Sequence, residues 1–193
     1  MPRLITLLVC SLFAFKALVL IDATGLWSDE LYSVGKSFQP SLMGLVEMLR
    51  NDTHPPLYYL VLWFWGQALA QTPLTLRLLS WLAYLAGAAL VVRQSAAMAS
   101  HGATRTAGSV AALLMLCSPY PIRFSVEGKS YALLVALVAL CWWCRRRWLD
   151  GTGAAWAYGL SVALASLTHF YGAFLFAAAA VWDGWQHRWP LVR

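Results

Sequence analysis

Charged side chains are scarce in this sequence. Only 11% of the 193 residues are Asp, Glu, Lys or Arg, whereas 61% are apolar. This balance excludes an ordinary soluble domain, in which about a quarter of the residues are charged. The apolar runs also lack the alternating polar residues of a membrane β-barrel, so that class is disfavoured. The sequence therefore predicts an all-α, polytopic membrane protein.

Basic runs of the kind that bind nucleic acid are missing. The formal net charge is +6, but the basic residues lie near the ends of apolar runs and do not alternate with aromatic residues. Positive charge at helix ends on one face is instead typical of membrane proteins, whose cytoplasmic loops are enriched in Lys and Arg. We therefore expect a membrane as partner and no nucleic acid.

Cysteine is also scarce. The four cysteines lie within apolar stretches, so a secreted disulfide framework is not supported. The Cys-Trp-Trp-Cys segment at 141–144 has the spacing of a metal or redox pair, but no second pair or histidine is near it in the sequence. This favours buried, small hydrophobic residues.

A small-x-small cleavage site is missing before Asp22, so the first apolar run is interpreted as an uncleaved signal anchor with a cytoplasmic N-terminus.

About six transmembrane helices are predicted within one module, residues 1–193. A bilayer core of about 30 Å requires about 20 apolar residues per helix. The predicted spans are about 4–21, 74–92, 106–120, 130–144, 153–168 and 170–184.

Residues 22–75 are predicted to form a long outer loop that contains interfacial helices. Within it, 41–50 is typical of a short amphipathic helix capped by Ser41. The aromatic-rich segment at 56–69 is predicted to lie at the interface or to be partly re-entrant. If it crossed, the arginines at 145–147 would face outwards, against the positive-inside rule. The loop 22–75, the loop 119–129 and the turn 168–171 then share the periplasmic or extracellular face.

Asp29 and Glu30 follow the first span at that face. A carboxylate there can accept a proton from an attacking hydroxyl or hold a divalent cation, as glycosyl and phosphoryl transfer require. The alternative is a solvated pair that ends a helix. Nearby, His54 precedes two prolines that fix the backbone and can aim its side chain at a site. There the alternative is a rigid helix start.

Basic residues on the outer face require an explanation, because the topology disfavours them there. Arg77, Arg123 and Lys129 can bind a lipid phosphate, since guanidinium and ammonium groups pair strongly with phosphate oxygens. Local pairing of Arg123 or Lys129 with Glu127 is the alternative. His169, in the last outer turn, can bind donor or acceptor near neutral pH, or can act as a capping residue.

Taken in order, these segments resemble the GT-C class of membrane glycosyltransferases. The similarity is to the superfamily of protein O-mannosyltransferases and lipid-A aminoarabinose transferases, in the branch often called RgtA/B/C/D-like. Lys129 stands where that family usually has arginine, and family members continue with further spans beyond the part that corresponds to Arg193. The chain is thus expected to be the N-terminal module, with the C-terminal remainder missing. The matching segments are Trp-Ser-Asp-Glu at 27–30, His-Pro-Pro-Leu-Tyr-Tyr at 54–59, Leu-Arg-Leu-Leu-Ser at 76–80, Ser-Pro at 118–119 with Phe-Ser-Val-Glu-Gly-Lys-Ser-Tyr at 124–131, and His-Phe-Tyr-Gly at 169–172.

The resemblance implies transfer of a sugar from a polyprenyl-phosphate donor to a lipid, glycan or protein acceptor at the outer face. It implies that Asp29 and Glu30 are catalytic residues, with Asp29 as the base or an acceptor-positioning carboxylate, and that Glu30 and Glu127 orient the substrate or a metal ion. Asp29 and Glu127 are also candidate ligands of a divalent cation, Mg²⁺ or Mn²⁺. The alternative is a non-catalytic or truncated membrane subunit that binds the lipid-phosphate carrier. The remaining candidate substrate-binding residues are His54, Arg77, Arg123, Glu127, Lys129, Tyr131 and His169.

Overall fold

The computed structural model describes residues 3–19, 21, 23–99 and 103–187. Within these ranges the secondary structure is helical and contains no strand, which confirms the all-α prediction. The helices are α1 (Arg3–Val19), α2 (Ser28–Ser37), α3 (Leu42–Arg50), α4 (Leu57–Ala68), α5 (Pro73–Met98), α6 (Thr104–Cys117), α7 (Pro119–Ser125), α8 (Ser130–Leu149), α9 (Ala155–Thr168) and α10 (Phe170–His187).

Six of these helices, α1, α5, α6, α8, α9 and α10, correspond to the predicted spans. α5 and α8 extend beyond the predicted ends at 92 and 144. The apolar run ends there, but the helix does not, because arginine is a good helix former and is favoured near a helix C-terminus. A hydrophobic run therefore measures the apolar part of a helix, not its full length.

α5 and α8 lie side by side and run in the same direction. Gly87 allows the two backbones to approach closely, since a Cβ there would lie 2.9 Å from the Cα of Ala136. Further along, the Gln94 side chain donates to the carbonyl of Ala139 at 2.9 Å. Small residues at such a contact allow close helix packing. The starts of both helices therefore lie at one end of the bundle, called here the site end.

The intervening helices return in the opposite direction. Tyr84, in the middle of α5, donates to the carbonyl of Met115, near the end of α6, while a Cβ at Gly108, near the start of α6, would lie 3.4 Å from the Cβ of Ala96, near the end of α5. At the other end of the bundle, Arg145 of α8 pairs with Asp183 of α10, with Nε 2.7 Å from Oδ2. Successive long helices thus alternate in direction.

Helices α2, α3 and α4 cover the site end. Tyr58 and Leu62 of α4 are buried with Leu45 of α3 and Leu76 of α5 in one apolar cluster. The predicted cap is confirmed, since the Ser41 hydroxyl accepts the Gly44 N–H at 3.1 Å. With 12 residues, α4 is about 18 Å long, which is short of a bilayer core of about 30 Å.

Two short helices were not predicted. Asp29 and Glu30 lie in the first turn of α2, where acidic side chains interact favourably with the helix dipole. α7 begins at Pro119 within the predicted 119–129 loop, and proline is well suited to the first helical position. Both helices were missed because they are too short to show a clear periodic pattern.

Among the described residues, α5 is the one helix long and apolar enough to cross a membrane by itself. Shorter apolar helices cover Leu4–Val19, Thr106–Cys117, Ala155–Thr168 and Phe170–Asp183. Several of these helices carry large apolar side chains on their outward faces, where a soluble bundle would be polar. Examples are Leu4, Leu12, Phe15, Phe174, Trp182 and Trp185.

Candidate functional site

A buried ion pair between Glu30 and Arg77 organises the site end. Arg77 Nε lies 2.9 Å from Glu30 Oε1, and Arg77 Nη2 lies 2.7 Å from Oε2, so the pairing is bidentate. The same carboxylate accepts the backbone N–H of Gly128 at 2.8 Å and that of Trp27 at 3.1 Å. Burial by itself would raise the pKa of Glu30, but these hydrogen bonds outweigh it and hold the pKa below its ordinary value.

Arg77 also fixes the chain that leaves α1. Its Nη1 donates to the carbonyls of Ile21 and Thr24 at 2.8 Å each, and Nη2 donates to the carbonyl of Gly25 at 2.9 Å. The Glu30–Arg77 pair therefore joins the segments around α1, α2, α5 and α8 at one point. Both side chains, which the sequence marked as candidates for catalysis and phosphate binding, have most of their hydrogen-bonding capacity used in holding the site together.

A small polar pocket of about 170 Å³ lies against this pair. Within it, Oε2 of Glu127 is buried and has no hydrogen-bond partner among the described residues. Burial raises the pKa of Glu127, as do the charges of Glu30 and Asp29, while those of Arg123 and Lys129 oppose the rise. The pocket therefore contains one carboxylate with unused hydrogen-bonding capacity. Its lining residues are Ile21, Thr24, Trp27, Glu30, Arg77, Arg123, Val126 and Glu127.

Asp29 and the two outer cations lie around the same pocket. Asp29 is exposed in the first turn of α2, close enough for its charge to act on Glu127. The guanidinium of Arg123 lies over the ring of Trp27, with Cζ 5.2 Å from the ring centroid. Lys129 is half-buried at the N-cap position of α8. Acidic and basic groups are thus available together where a charged ligand can reach them.

His54 belongs to a second cluster at the site end. Its Nδ1 lies 3.0 Å from Asp52 Oδ1, while Lys36 Nζ lies 2.5 Å from the other oxygen of Asp52. Burial disfavours the Asp52 charge, but hydrogen bonds from Lys36 and His54 lower the pKa of Asp52 to about 2. A carboxylate bound at Nδ1 holds the imidazole with Nε2 available to a ligand. Asp52 and Lys36 were not among the predicted site residues, although the Asp-x-His spacing at 52–54 was a usable signal.

His169 lies between the two clusters. Its Nδ1 accepts the Tyr171 N–H at 3.2 Å, which corresponds to the capping alternative left open by the sequence. Burial lowers the pKa of His169, and the charge of His54 lowers it further. The ring of His169 is 5.8 Å from that of Tyr131, which is 5.3 Å from that of Phe124. These rings form an aromatic surface beside the pocket.

The structure places every sequence-predicted site residue at the site end. The pocket and its rim bring together six of them, Asp29, Glu30, Arg77, Arg123, Glu127 and Lys129. His54, Tyr131 and His169 form the neighbouring surface.

The candidate cation ligands are few. In the described ranges no group of three or more His, Cys, Asp and Glu side chains is arranged to hold a metal ion. Mg²⁺, however, is commonly bound by one or two carboxylates together with waters and substrate phosphates, a chemistry that Asp29 and Glu127 can supply. Comparison of the chain with protein-family models, with curated proteins and with solved structures gave no match.

Proposed function

We propose that this protein is a membrane glycosyltransferase module of the GT-C type, which transfers a sugar from a polyprenyl-phosphate donor to a lipid, glycan or protein acceptor. The membrane position is supported by long apolar helices that alternate in direction and carry large apolar side chains outwards. The arginines at 145–147 lie at the opposite end from the site. By the positive-inside rule, that end is cytoplasmic and the site end is periplasmic or extracellular.

The observation that carries this proposal is the buried, unpartnered oxygen of Glu127 in a pocket shared with Arg123 and approached by Asp29. A buried acceptor without a donor is costly, and a hydroxyl of a sugar or acceptor would supply that donor. Perturbed carboxyl groups with a specific charge partner in a pocket are typical of functional sites.

The proposed reaction uses Asp29 as the general base. The acceptor hydroxyl attacks the anomeric carbon of the donor sugar, and its proton passes to the Asp29 carboxylate. The bond between the anomeric carbon and the phosphate oxygen breaks, and its electron pair remains on the polyprenyl phosphate. Arg123 and Lys129 stabilise the phosphate charge that develops. Asp29 and Glu127 would be the residues to hold Mg²⁺ or Mn²⁺, which would supply further positive charge at the phosphate.

Glu30 and Arg77 are assigned a positioning role in this proposal. Their hydrogen bonds with each other and with the backbone keep the pocket walls in place. His54, oriented by Asp52, lies with His169 and Tyr131 on the surface where the sugar or acceptor would bind. Aromatic and imidazole groups there offer both stacking and hydrogen bonds.

A direct test replaces Asp29 by Asn in the protein reconstituted in liposomes. We expect release of polyprenyl phosphate from hexose- and pentose-loaded polyprenyl-phosphate donors to fall by about 100-fold or more. Binding of the donor should change little, because Asp29 is exposed and lies outside the hydrogen bonds between Glu30 and Arg77. Glu47→Gln, which changes an exposed acid on α3, is the matched control and should retain full activity.

The second candidate function is a non-catalytic subunit that binds the lipid-phosphate carrier. This function is favoured because Glu30, one of the two predicted catalytic residues, is neutralised by Arg77. Asp29 and Glu127 then remain as the two acids available at the pocket. Donor binding without any transfer by the native protein would support this function and contradict the first. Unchanged transfer by Asp29→Asn would remove Asp29 from the catalytic role.

A further inference from the structure

A large elongated cavity, lined mainly by α5 and α8 with residues of α6, α7 and α10, is separate from the polar pocket. Its volume is about 1170 Å³, larger than the roughly 300–1,000 Å³ of common small-molecule sites. Along α8 its lining extends from Tyr131 to Leu149. At a rise of about 1.5 Å per residue this distance is about 27 Å, close to the thickness of a bilayer core. The cavity therefore has the length of a lipid chain rather than of a compact metabolite.

The cavity walls are apolar over most of that length. On the α8 side they are formed by one helical face, with Leu134, Val135, Val138 and Trp142 at spacings of one, three and four residues. Val91 of α5 faces them. The Gln94 amide, which also lines the cavity, is already bonded to the carbonyls of Leu90 and Ala139. An occupant of the central section must therefore be a hydrocarbon.

One end of the cavity is lined by charged side chains. Arg145, Arg146 and Asp150 lie there, and Arg145 is paired with Asp183. Arg146 is bound more weakly, with Nε 3.6 Å from Asp150 Oδ2 and Nη2 3.4 Å from the carbonyl of Ala97. Its Nη1 is buried and has no acceptor among the described residues. An anionic oxygen can fill this donor, and guanidinium groups pair strongly with phosphate oxygens.

From these observations we propose that the cavity binds one anionic phospholipid of the cytoplasmic leaflet. Its phosphate accepts hydrogen bonds from Arg146, and an acyl chain lies along α8 towards Tyr131. Basic pockets between helices at the cytoplasmic face are suited to anionic headgroups, and that leaflet is rich in them. The inference rests on the membrane position given under the proposed function, but not on sugar transfer.

The position of the charge distinguishes this lipid from the sugar donor. A donor with its phosphate at Arg123 and Lys129 would have its headgroup at the site end, near the start of α8. Arg146 is near the opposite end of that helix. The charged mouth of the cavity and the proposed catalytic pocket thus serve phosphates on opposite sides of the bilayer.

The test compares two phospholipids with identical acyl chains on the purified protein in neutral detergent. Native mass spectrometry should show one phosphatidylglycerol retained per protein, with about tenfold preference over phosphatidylcholine. Arg146→Gln should abolish the preference. Arg147→Gln is the matched control, because the neighbouring Arg147 is exposed, does not line the cavity and donates to the carbonyl of Thr152. It should bind within about twofold of the native protein.

Val138→Trp, which fills the middle of the cavity, should lower the retention of both lipids. Equal binding of the two lipids, or equal loss in the two arginine variants, would overturn the proposal. A dimer that excludes lipid would show that a second chain occupies the cavity. If polyprenyl phosphate displaces the phospholipid equally well from the native protein and from Arg146→Gln, the cavity is assigned to the sugar donor instead. Because no sugar is transferred in this assay, its failure is distinguishable from failure of Asp29 as a base.

Discussion

Glu30 and Glu127 line the same small pocket, but their surroundings differ in one respect. Glu30 accepts four hydrogen bonds, two of them from Arg77, whereas Oε2 of Glu127 accepts none from the described residues. Burial opposes ionisation of both. The pKa of Glu30 is nevertheless lowered and that of Glu127 is raised. Burial alone therefore does not decide whether the pKa of a carboxylate is raised or lowered in this pocket. The number of hydrogen-bond donors that reach the carboxylate decides it.

The backbone explains the difference. Glu30 is the third residue of α2, from which its side chain reaches back to the Trp27 N–H, as in half of a capping box. Glu127 lies in the connection between α7 and α8. There its backbone carbonyl accepts the Lys129 N–H at 2.7 Å, while its side chain lines the pocket and its Oε2 accepts no hydrogen bond from the described residues. Glu30 therefore holds the pocket walls together, whereas Glu127 presents this unpaired acceptor oxygen inside the pocket.

The largest expected effect comes from removing the partner of Glu30, the carboxylate that accepts four hydrogen bonds. Arg77→Met leaves the Glu30 carboxylate, which is 1% exposed, as a buried charge without its partner. We expect a loss of about 3–5 kcal/mol in the free energy of unfolding. Thermal or denaturant unfolding in detergent measures it.

The double variant Arg77→Met with Glu30→Gln is the control, since it removes the stranded charge together with its partner. It should be more stable than Arg77→Met alone. If the two variants are equally unstable, the packing of Arg77 rather than its charge holds the site end together.

A smaller loss is expected at Gly128, whose N–H donates to Glu30. A Cβ at this position would overlap the side chain of the fully buried Leu76. Gly128→Ala should therefore cost about 1–3 kcal/mol of stability. Gly35→Ala, within α2 and with no atom near its added Cβ, should be neutral or slightly stabilising in the same unfolding experiment.

Substitution of Glu127, whose Oε2 accepts no hydrogen bond from the described residues, should change stability in the opposite direction. Because the pKa of Glu127 is raised in the folded protein, the native state holds this proton more tightly than the unfolded chain. Its contribution to stability is present at low pH and is lost as pH rises above about 4.3, the ordinary value for Glu. Glu127→Gln should thus become more stable than the native protein as pH approaches neutrality. A stability difference that does not vary with pH would contradict the raised pKa.

The smallest effect is expected at Asp52, a lowered-pKa carboxylate outside the pocket. Its contribution to stability is present above about 3.9 and should be lost as pH falls towards its folded pKa of about 2. Near neutral pH, Asp52→Asn should lower stability by about 1–2 kcal/mol, because it removes the carboxylate from the part-buried Lys36 ammonium as well as from the exposed His54 ring. The clearer readout is the tautomer of the His54 ring measured by nitrogen NMR, because Asp52 Oδ1 lies 3.0 Å from its Nδ1. Unchanged tautomer populations in Asp52→Asn would show that Asp52 does not orient this histidine.

The site residues were predictable as a set because each has a chemical type that is rare in an apolar chain. Asp29, Arg123 and Glu127 stand out in the sequence for that reason, and their common end follows from the alternating helices. Their individual roles were not predictable. Glu30 and its neighbour Asp29 differ because only the Glu30 side chain is buried. Two adjacent acids in the sequence do not show which side of a ten-residue helix faces the interior.

By itself the sequence determined that the chain is helical, where its long helices lie and which polar residues are candidates, because apolar periodicity and local capping depend on neighbouring residues. The tertiary structure alone decided which charges are neutralised. Glu30 meets Arg77 across 47 positions and Gly128 across 98. No local pattern contains such contacts, since they exist only once the starts of α2, α5 and α8 are packed together.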